Sequence, residues 1–165
     1  MTSFDYYKKG AGIIPLIKAF KKFNDVYDDS RLVIIGGGKH FDEIRGKGSN
    51  KNINFLGKQP KSKVIEYMAS CDCFVHITKL DNLPLTIIEA TKFNKPIIAS
   101  NKFGIPEISK DIYLTNNNEK NILKKMFEVY ETQDKIKKYR FIGKFKGDRT
   151  AKEYVAMYSE LLSKK

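Results

Sequence analysis

The sequence predicts a doubly wound α/β domain, a parallel sheet with helices on both sides, finished by C-terminal helices. Two observations carry this expectation. Short β-branched runs alternate with helical-period segments through about residue 115, and the loops between them are brief and rich in Gly and Asn. That alternation implies right-handed crossovers between parallel strands. Beyond Asn116-Asn117-Asn118 the pattern turns to helix only. The whole chain, 1–165, reads as one Rossmann-like domain, with an α/β core to about 115 and helices from about 118.

The elements follow in order. Ile13, Leu16, Ile17, Phe20, Phe23 and Tyr27 recur at three- and four-residue steps, an amphipathic helix with Pro15 near its start. Arg31 to Ile35 is a β-branched run without alternation, as in a strand covered on both faces, and it feeds Gly36-Gly37-Gly38. His40 to Gly46 suits a short helix, Ile53 to Gly57 a strand, Lys61 to Ser70 a helix and Cys73 to Ile77 a strand. A helix follows Pro84, then the strand Pro96 to Ser100, a turn around Gly104-Ile105-Pro106 and a short strand near Ile112 to Leu114. In the tail, Ile122, Met126, Val129 and Tyr130 mark one helical face, and Tyr154, Val155, Tyr158, Leu161 and Leu162 another.

Composition narrows the function classes. At 41% apolar residues, with 11 Phe and 9 Tyr, the chain can build a core. It has neither a membrane-spanning run nor a secretory leader, so a cytoplasmic location is expected. Cys71 and Cys73, alternating along a strand, would share a face as a buried reduced pair; no further ligands suggest a metal site. A net charge of +12 favours anionic partners, whether phosphorylated small molecules, nucleic acid or an anionic membrane surface. The segment Lys135 to Arg140, basic with interleaved apolar residues, could meet such a membrane from the side, or form the wet face of a packed helix.

Chemistry concentrates in Lys79-Leu80-Asp81-Asn82-Leu83-Pro84-Leu85-Thr86-Ile87-Ile88-Glu89-Ala90. Pro84 suits the first helical position, since it lacks an N–H and has a preset φ. Helix can then run from Leu85 to Phe93. Asp81 falls just before the helix, and Glu89, in its second turn, points back toward the same end. Free N–H groups at that end favour a phosphate, and a carboxylate a turn away can accept hydrogen bonds from sugar hydroxyls. A nucleotide sugar carries both groups. The loops at Gly36-Gly37-Gly38 and Asp81-Asn82-Leu83 lie at strand carboxyl ends, where such sheets bind ligands.

Seven segments then resemble, in order, the C-terminal, donor-binding half of retaining GT-B glycosyltransferases of the fourth family, the glycosyl transferases group 1. They are Leu16 to Phe20, Leu32 to Gly38, Ile53 to Gly57, Tyr67 to Val75, the two-acid stretch, Lys95 to Ser100 and Gly104 to Ile108. The resemblance implies that Glu89 binds the ribose hydroxyls of a nucleotide-diphosphate sugar, and that Asp81, standing where a Glu is usual, approaches the transferred sugar. It places the N–H groups of Asn82, Leu83 and Leu85 behind Pro84 on the diphosphate, and the base near Gly57 and Lys58. Lys9 is the nearest match to the family's diphosphate-binding Lys, displaced by two residues; the family's Arg has no counterpart. Phe103 replaces the first Gly of the family's Gly-Gly-x-Pro-Glu turn.

The resemblance further implies retaining hexosyl transfer to a glycan or lipid-linked acceptor, without a metal or other cofactor. Such enzymes carry an N-terminal acceptor domain for which 165 residues leave no room. This domain is expected to be missing or separate, leaving an exposed apolar face around Tyr154, Tyr158 and Leu161. The alternative is a non-catalytic nucleotide-sugar or partner-binding module. A specific nucleic-acid binder lacks an aromatic-rich motif to support it, and a dehydrogenase lacks the third spaced glycine of G-x-G-x-x-G.

Overall fold

Apolar spacing and β-branching translate directly into layers. The computed structural model describes residues 2–3, 12–48, 50–132 and 147–163. Helix α1 (Ile13–Asn24) buries Ile13, Leu16, Ile17, Ala19 and Phe20 on one stripe. Its end is closed by the buried Asn24, whose Nδ2 donates to Tyr27 O at 3.0 Å and whose Oδ1 accepts from Asn52 Nδ2 at 3.0 Å. Strand β2 (Leu32–Gly37) pairs in parallel with β1 (Thr2–Ser3) and β3 (Ile53–Gly57), flanking the short helix α2 (Phe41–Lys47). Helix α3 (Lys61–Ser70) leads to β4 (Phe74–His76), which pairs in parallel with β5 (Ile97–Ser100), and β5 with β6 (Tyr113–Thr115).

Among the described residues these pairings form two three-stranded parallel groups, β1-β2-β3 and β4-β5-β6. A shared core ties them together. Ile34 and Ile53 from the first group meet Ile77 and Ile98 beside the second, under α1 and Ile122, Met126 and Val129 of α5 (Glu119–Thr132). The opposite face is filled by Val64 and Met68 of α3, Ile87 and Ala90 of α4 (Leu85–Ala90), and Ile97 and Ala99 of β5. Alternate residues of β5 thus enter opposite clusters, and all four are buried. Helices cover both faces, as the doubly wound expectation requires. Each fully buried isoleucine contributes roughly 1.5–3 kcal/mol by leaving water.

The cysteines differ from the sequence expectation. Strand β4 starts at Phe74, so Cys71 and Cys73 precede it, and strand alternation does not govern them. Cys71 caps α3 and packs with the second cluster, while Cys73 packs with the first. Both are free thiols, and burial pushes Cys73 up to about 12. β2 meets the expectation only in part: Ile34 enters one cluster and Ile35 packs against the other, but Val33 is exposed.

In the tail, α5 begins where Asn118 Oδ1 accepts the Asn121 N–H at 2.9 Å, an N-cap bond. Helix α6 (Gly147–Ser163) exposes Tyr154, Val155, Tyr158, Leu161 and Leu162, the apolar face expected from the sequence. No described helix is long and apolar enough to cross a membrane. The basic segment Lys135 to Arg140 lies outside the described residues.

Candidate functional site

The loop from β4 to α4 is anchored at three places. Ser100 Oγ, at the end of β5, accepts the Thr78 N–H at 2.9 Å and donates to Thr78 O at 3.2 Å. Asn117 Nδ2 donates to the same carbonyl at 2.5 Å. Farther along, the Gly104 N–H donates to Asn82 O at 2.9 Å. A Cβ at Gly104 would come within 3.0 Å of Asn82 O and 3.4 Å of Leu83 Cδ1, so the 104 turn lies flat against the Asn82-Leu83 loop. Buried side-chain and main-chain bonds of this kind hold a polar loop in one shape.

Asp81 projects from this loop toward the buried His76 at the end of β4, with Oδ2 3.8 Å from Nε2. Pro84 then serves as the N-cap of α4, at φ −70° and ψ 113°, one position earlier than expected. A cap residue keeps its own backbone outside the helix while its carbonyl accepts the first helical bond, and Pro84 O takes the Ile87 N–H at 3.0 Å. Proline has no side-chain oxygen, and no side chain caps the first turn. The helix continues as a 3₁₀ turn, Thr91–Phe93, and stops at Asn94 in the left-handed region with φ 53°. The expected span from Leu85 to Phe93 is therefore helical, in two pieces.

Glu89 lies in the second turn of α4, and its Oε1 accepts from Lys61 Nζ at 2.9 Å. Lys61 opens α3, immediately beyond the loop after β3, so this bridge carries Glu89 to the rim that holds Gly57 and Lys58. Gly57 adopts φ 67°, a conformation that suits glycine, and a Cβ there would meet open space. Gly37 approaches the same loop: a Cβ on it would lie 3.3 Å from Lys58 Cβ. The glycine end of β2 thus abuts the loop after β3 at Lys58, and Glu89 is tied through Lys61 to the start of the helix that follows that loop. Asp81 and His76 stand at the end of β4.

Of the residues expected from sequence, Asp81, Asn82, Leu83, Pro84, Leu85 and Glu89 occupy one loop and helix, and Gly57 and Lys58 the adjoining loop. Lys9 lies outside the described residues. Sequence reasoning missed His76, which faces Asp81 from the end of the preceding strand, Lys61, which reaches Glu89 from a distant helix, and the anchors Thr78, Ser100 and Asn117. A polar residue at the end of an apolar strand, as at His76 and Ser100, is the signal that was available. No group of three or more metal-ligating side chains occurs among the described residues. Two shallow hollows lie elsewhere, one on α5 at Leu123 and Phe127 and one along α2 and β3 at Arg45 and Asn54.

Comparison with known proteins agrees with this architecture. The chain is 32% identical over 98 residues to the uncharacterized glycosyltransferase MJ1059 of Methanocaldococcus jannaschii, a stretch covering 56% of this chain and 24% of that relative. The chain thus spans well under two thirds of it. The solved C-terminal domain of the glycosyl transferase group 1 family protein LpcC from Francisella tularensis superposes with a TM-score of 0.66 at 21% identity, over 79% of this chain and 73% of that one. Anabaena HepE in complex with UDP-glucose superposes at 0.63 and 19% identity, over 74% of this chain and 36% of that one. At such identities the likeness concerns fold alone. The sequence pattern described as glycosyl transferases group 1 matches residues 5–145, and the chain belongs to that family.

Proposed function

We propose that this chain is the donor-binding half of a retaining glycosyltransferase, moving a hexose from a nucleotide-diphosphate sugar to a glycan or lipid-linked acceptor. The observation that carries the reading is the position of Glu89: its carboxylate sits against Lys61, beside the open loop at Gly57 and Lys58. A base resting on that loop leaves its ribose hydroxyls within reach of Glu89. The bridge to Lys61 is no obstacle, because an exposed ion pair is worth about 1 kcal/mol or less, and ribose hydroxyls can replace the ammonium donor.

Roles for the other residues follow from charge. As a nucleoside diphosphate departs, negative charge grows on the leaving phosphate, and prearranged donors stabilise it. The main-chain groups of Asn82, Leu83 and Leu85 flanking Pro84, with the Lys9 ammonium, would supply those donors without a metal. Asp81 positions the donor sugar and need not act as a nucleophile. Acceptor contacts would come from a separate N-terminal domain, and α6 offers an apolar face to meet one. Support for a half-enzyme also comes from the fold shared with an isolated C-terminal domain. The setting would be cytoplasmic, with peripheral contact at an anionic membrane and no specific nucleic acid.

A second reading, a non-catalytic nucleotide-sugar module, is favoured by one detail. The short Asp81 arm is directed at His76, 3.8 Å away. Transfer assays with an acceptor-domain partner separate the readings. The binding claim itself is tested by thermal shift against a panel of nucleoside diphosphates and nucleotide sugars. A ligand at a hundred times its Kd stabilises the fold by about 2.7 kcal/mol, roughly 5–10 °C for a domain of this size. Glu89→Ala should lose most of that shift; equal shifts in both proteins would remove the ribose role.

A further inference from the structure

Phe103 stands where its chemistry is least expected. The chain turns sharply after β5, closed by the Ile105 N–H on Lys102 O at 3.3 Å and tied back by the Lys102 N–H on Ser100 O at 2.9 Å. Phe103 is the first central residue of that turn and has φ 55°. Positive φ at that position is ordinarily met by glycine, because a Cβ crowds the backbone. Phe103 accepts the strain without the usual return, since its ring is half exposed and belongs to neither core cluster. Backbone strain that packing does not reward collects at ligand-binding sites.

Its neighbours define the ligand. Gly104, the next residue, lies flat on Asn82 and Leu83, so the Phe103 turn borders the loop that carries Asp81. Leu80, Leu83 and Leu85 on that loop and helix are exposed as well. The rim beside Asp81 therefore combines a carboxylate with half-exposed apolar groups. The strand order gives the direction. Gly57 and Lys58, proposed for the base, follow β3 in one strand group, whereas the Phe103 turn follows β5, the hydrogen-bonded neighbour of β4, whose exit loop carries Asp81. A ligand with its base at Gly57 and Lys58 would present its sugar, not its base, to Phe103. A pyranose ring offers a face of C–H groups, which suits the negative face of an aromatic ring, and hydroxyl edges, which suit Asp81.

Resting on the donor-site reading above, we propose that Phe103 contacts substrate and determines sugar specificity, its ring and Leu83 forming an apolar platform for the C–H face of the transferred sugar. The full chain is titrated calorimetrically with UDP, GDP and ADP and with UDP-glucose, GDP-mannose and ADP-glucose, as wild type, Phe103→Gly and Phe103→Leu. Leucine keeps the side chain on a strained backbone but removes the flat face; glycine removes both. Both variants should bind the preferred nucleoside diphosphate within twofold of wild type and its nucleotide sugar about tenfold more weakly. Phe103→Gly should at the same time melt about 2–4 °C higher, because the strain is gone. An unchanged ratio of sugar to diphosphate affinity in either variant would overturn the platform and leave the donor site standing. Diphosphate binding with no nucleotide sugar bound by wild type would do the same. If wild type binds none of the six, the donor-site reading itself fails.

Discussion

Lys61 and Glu89 are 28 positions apart and meet through one hydrogen bond of 2.9 Å, which brings a helix-borne carboxylate to a glycine loop. Neither residue is conspicuous alone, and no local rule pairs them, which is why the contact was invisible in sequence. Gly104 has its own local requirement. Its φ of −80° is open to any residue, so only the 3.0 Å approach to Asn82 O excludes a side chain. Gly104→Ala should cost about 1–3 kcal/mol of stability through overpacking, read as a lower midpoint in urea, and should weaken ligand binding by shifting the Asp81 loop. Cys73 makes a pH prediction. Its folded pKa of about 12 exceeds the ordinary 9.0, so the stability from burying a neutral thiol is complete below pH 9 and lost as pH climbs toward 12. A thiol reagent at pH 8 should label the partly buried Cys73 much more slowly in the native protein than after unfolding; equal rates would contradict its raised pKa.

Elements were legible where one physical rule decided them. The helix at Ile13 and the helix Lys61–Ser70 emerged where periodicity placed them, because each buries one stripe, and the strand Ile53–Gly57 has the expected bounds although only Ile53 is buried. The change to helix after Asn116-Asn117-Asn118 was readable too, and Asn118 puts its side-chain oxygen to the common use of capping the helix that starts there. Asn118→Ala should therefore destabilise the protein by about 1 kcal/mol, and Ile122→Ala, in the core under α5, by about 2–5 kcal/mol. Circular dichroism melts of both variants measure the difference. Illegible were features set by packing between segments: the displacement of Cys71 and Cys73 from β4, the exposure of Val33, and the left-handed backbone at Phe103. Propensity says nothing about a phenylalanine held at positive φ by hydrogen bonds from both sides.

Across the whole molecule, the site is a product of topology more than of any motif. Within each group parallel strands send their carboxyl ends to one edge, where Gly37 at the end of β2 meets Lys58 after β3, and Asn82 after β4 meets Gly104 after β5. Alternation of strand and helix in the sequence was enough to foresee that edge. What the sequence could not show was which partner each acid would take. The α6 face exposes Tyr154, Val155, Tyr158, Leu161 and Leu162 together, with the Tyr154 and Tyr158 rings stacked 6.4 Å apart. It should bind an apolar dye such as ANS, and a Tyr158→Lys, Leu161→Lys double variant should lose that fluorescence with stability changed by about 0.5 kcal/mol or less. Retained dye binding would place the apolar surface elsewhere. The donor claim meets its most direct test in calorimetric titration of wild type and Glu89→Gln with UDP, GDP and ADP. One diphosphate should bind wild type at one site per chain and bind Glu89→Gln at least tenfold more weakly, since hydrogen bonds to a charged carboxylate are worth about 1.5–3 kcal/mol. Equal affinity in the two proteins, or no binding of any of the three to wild type, would contradict it.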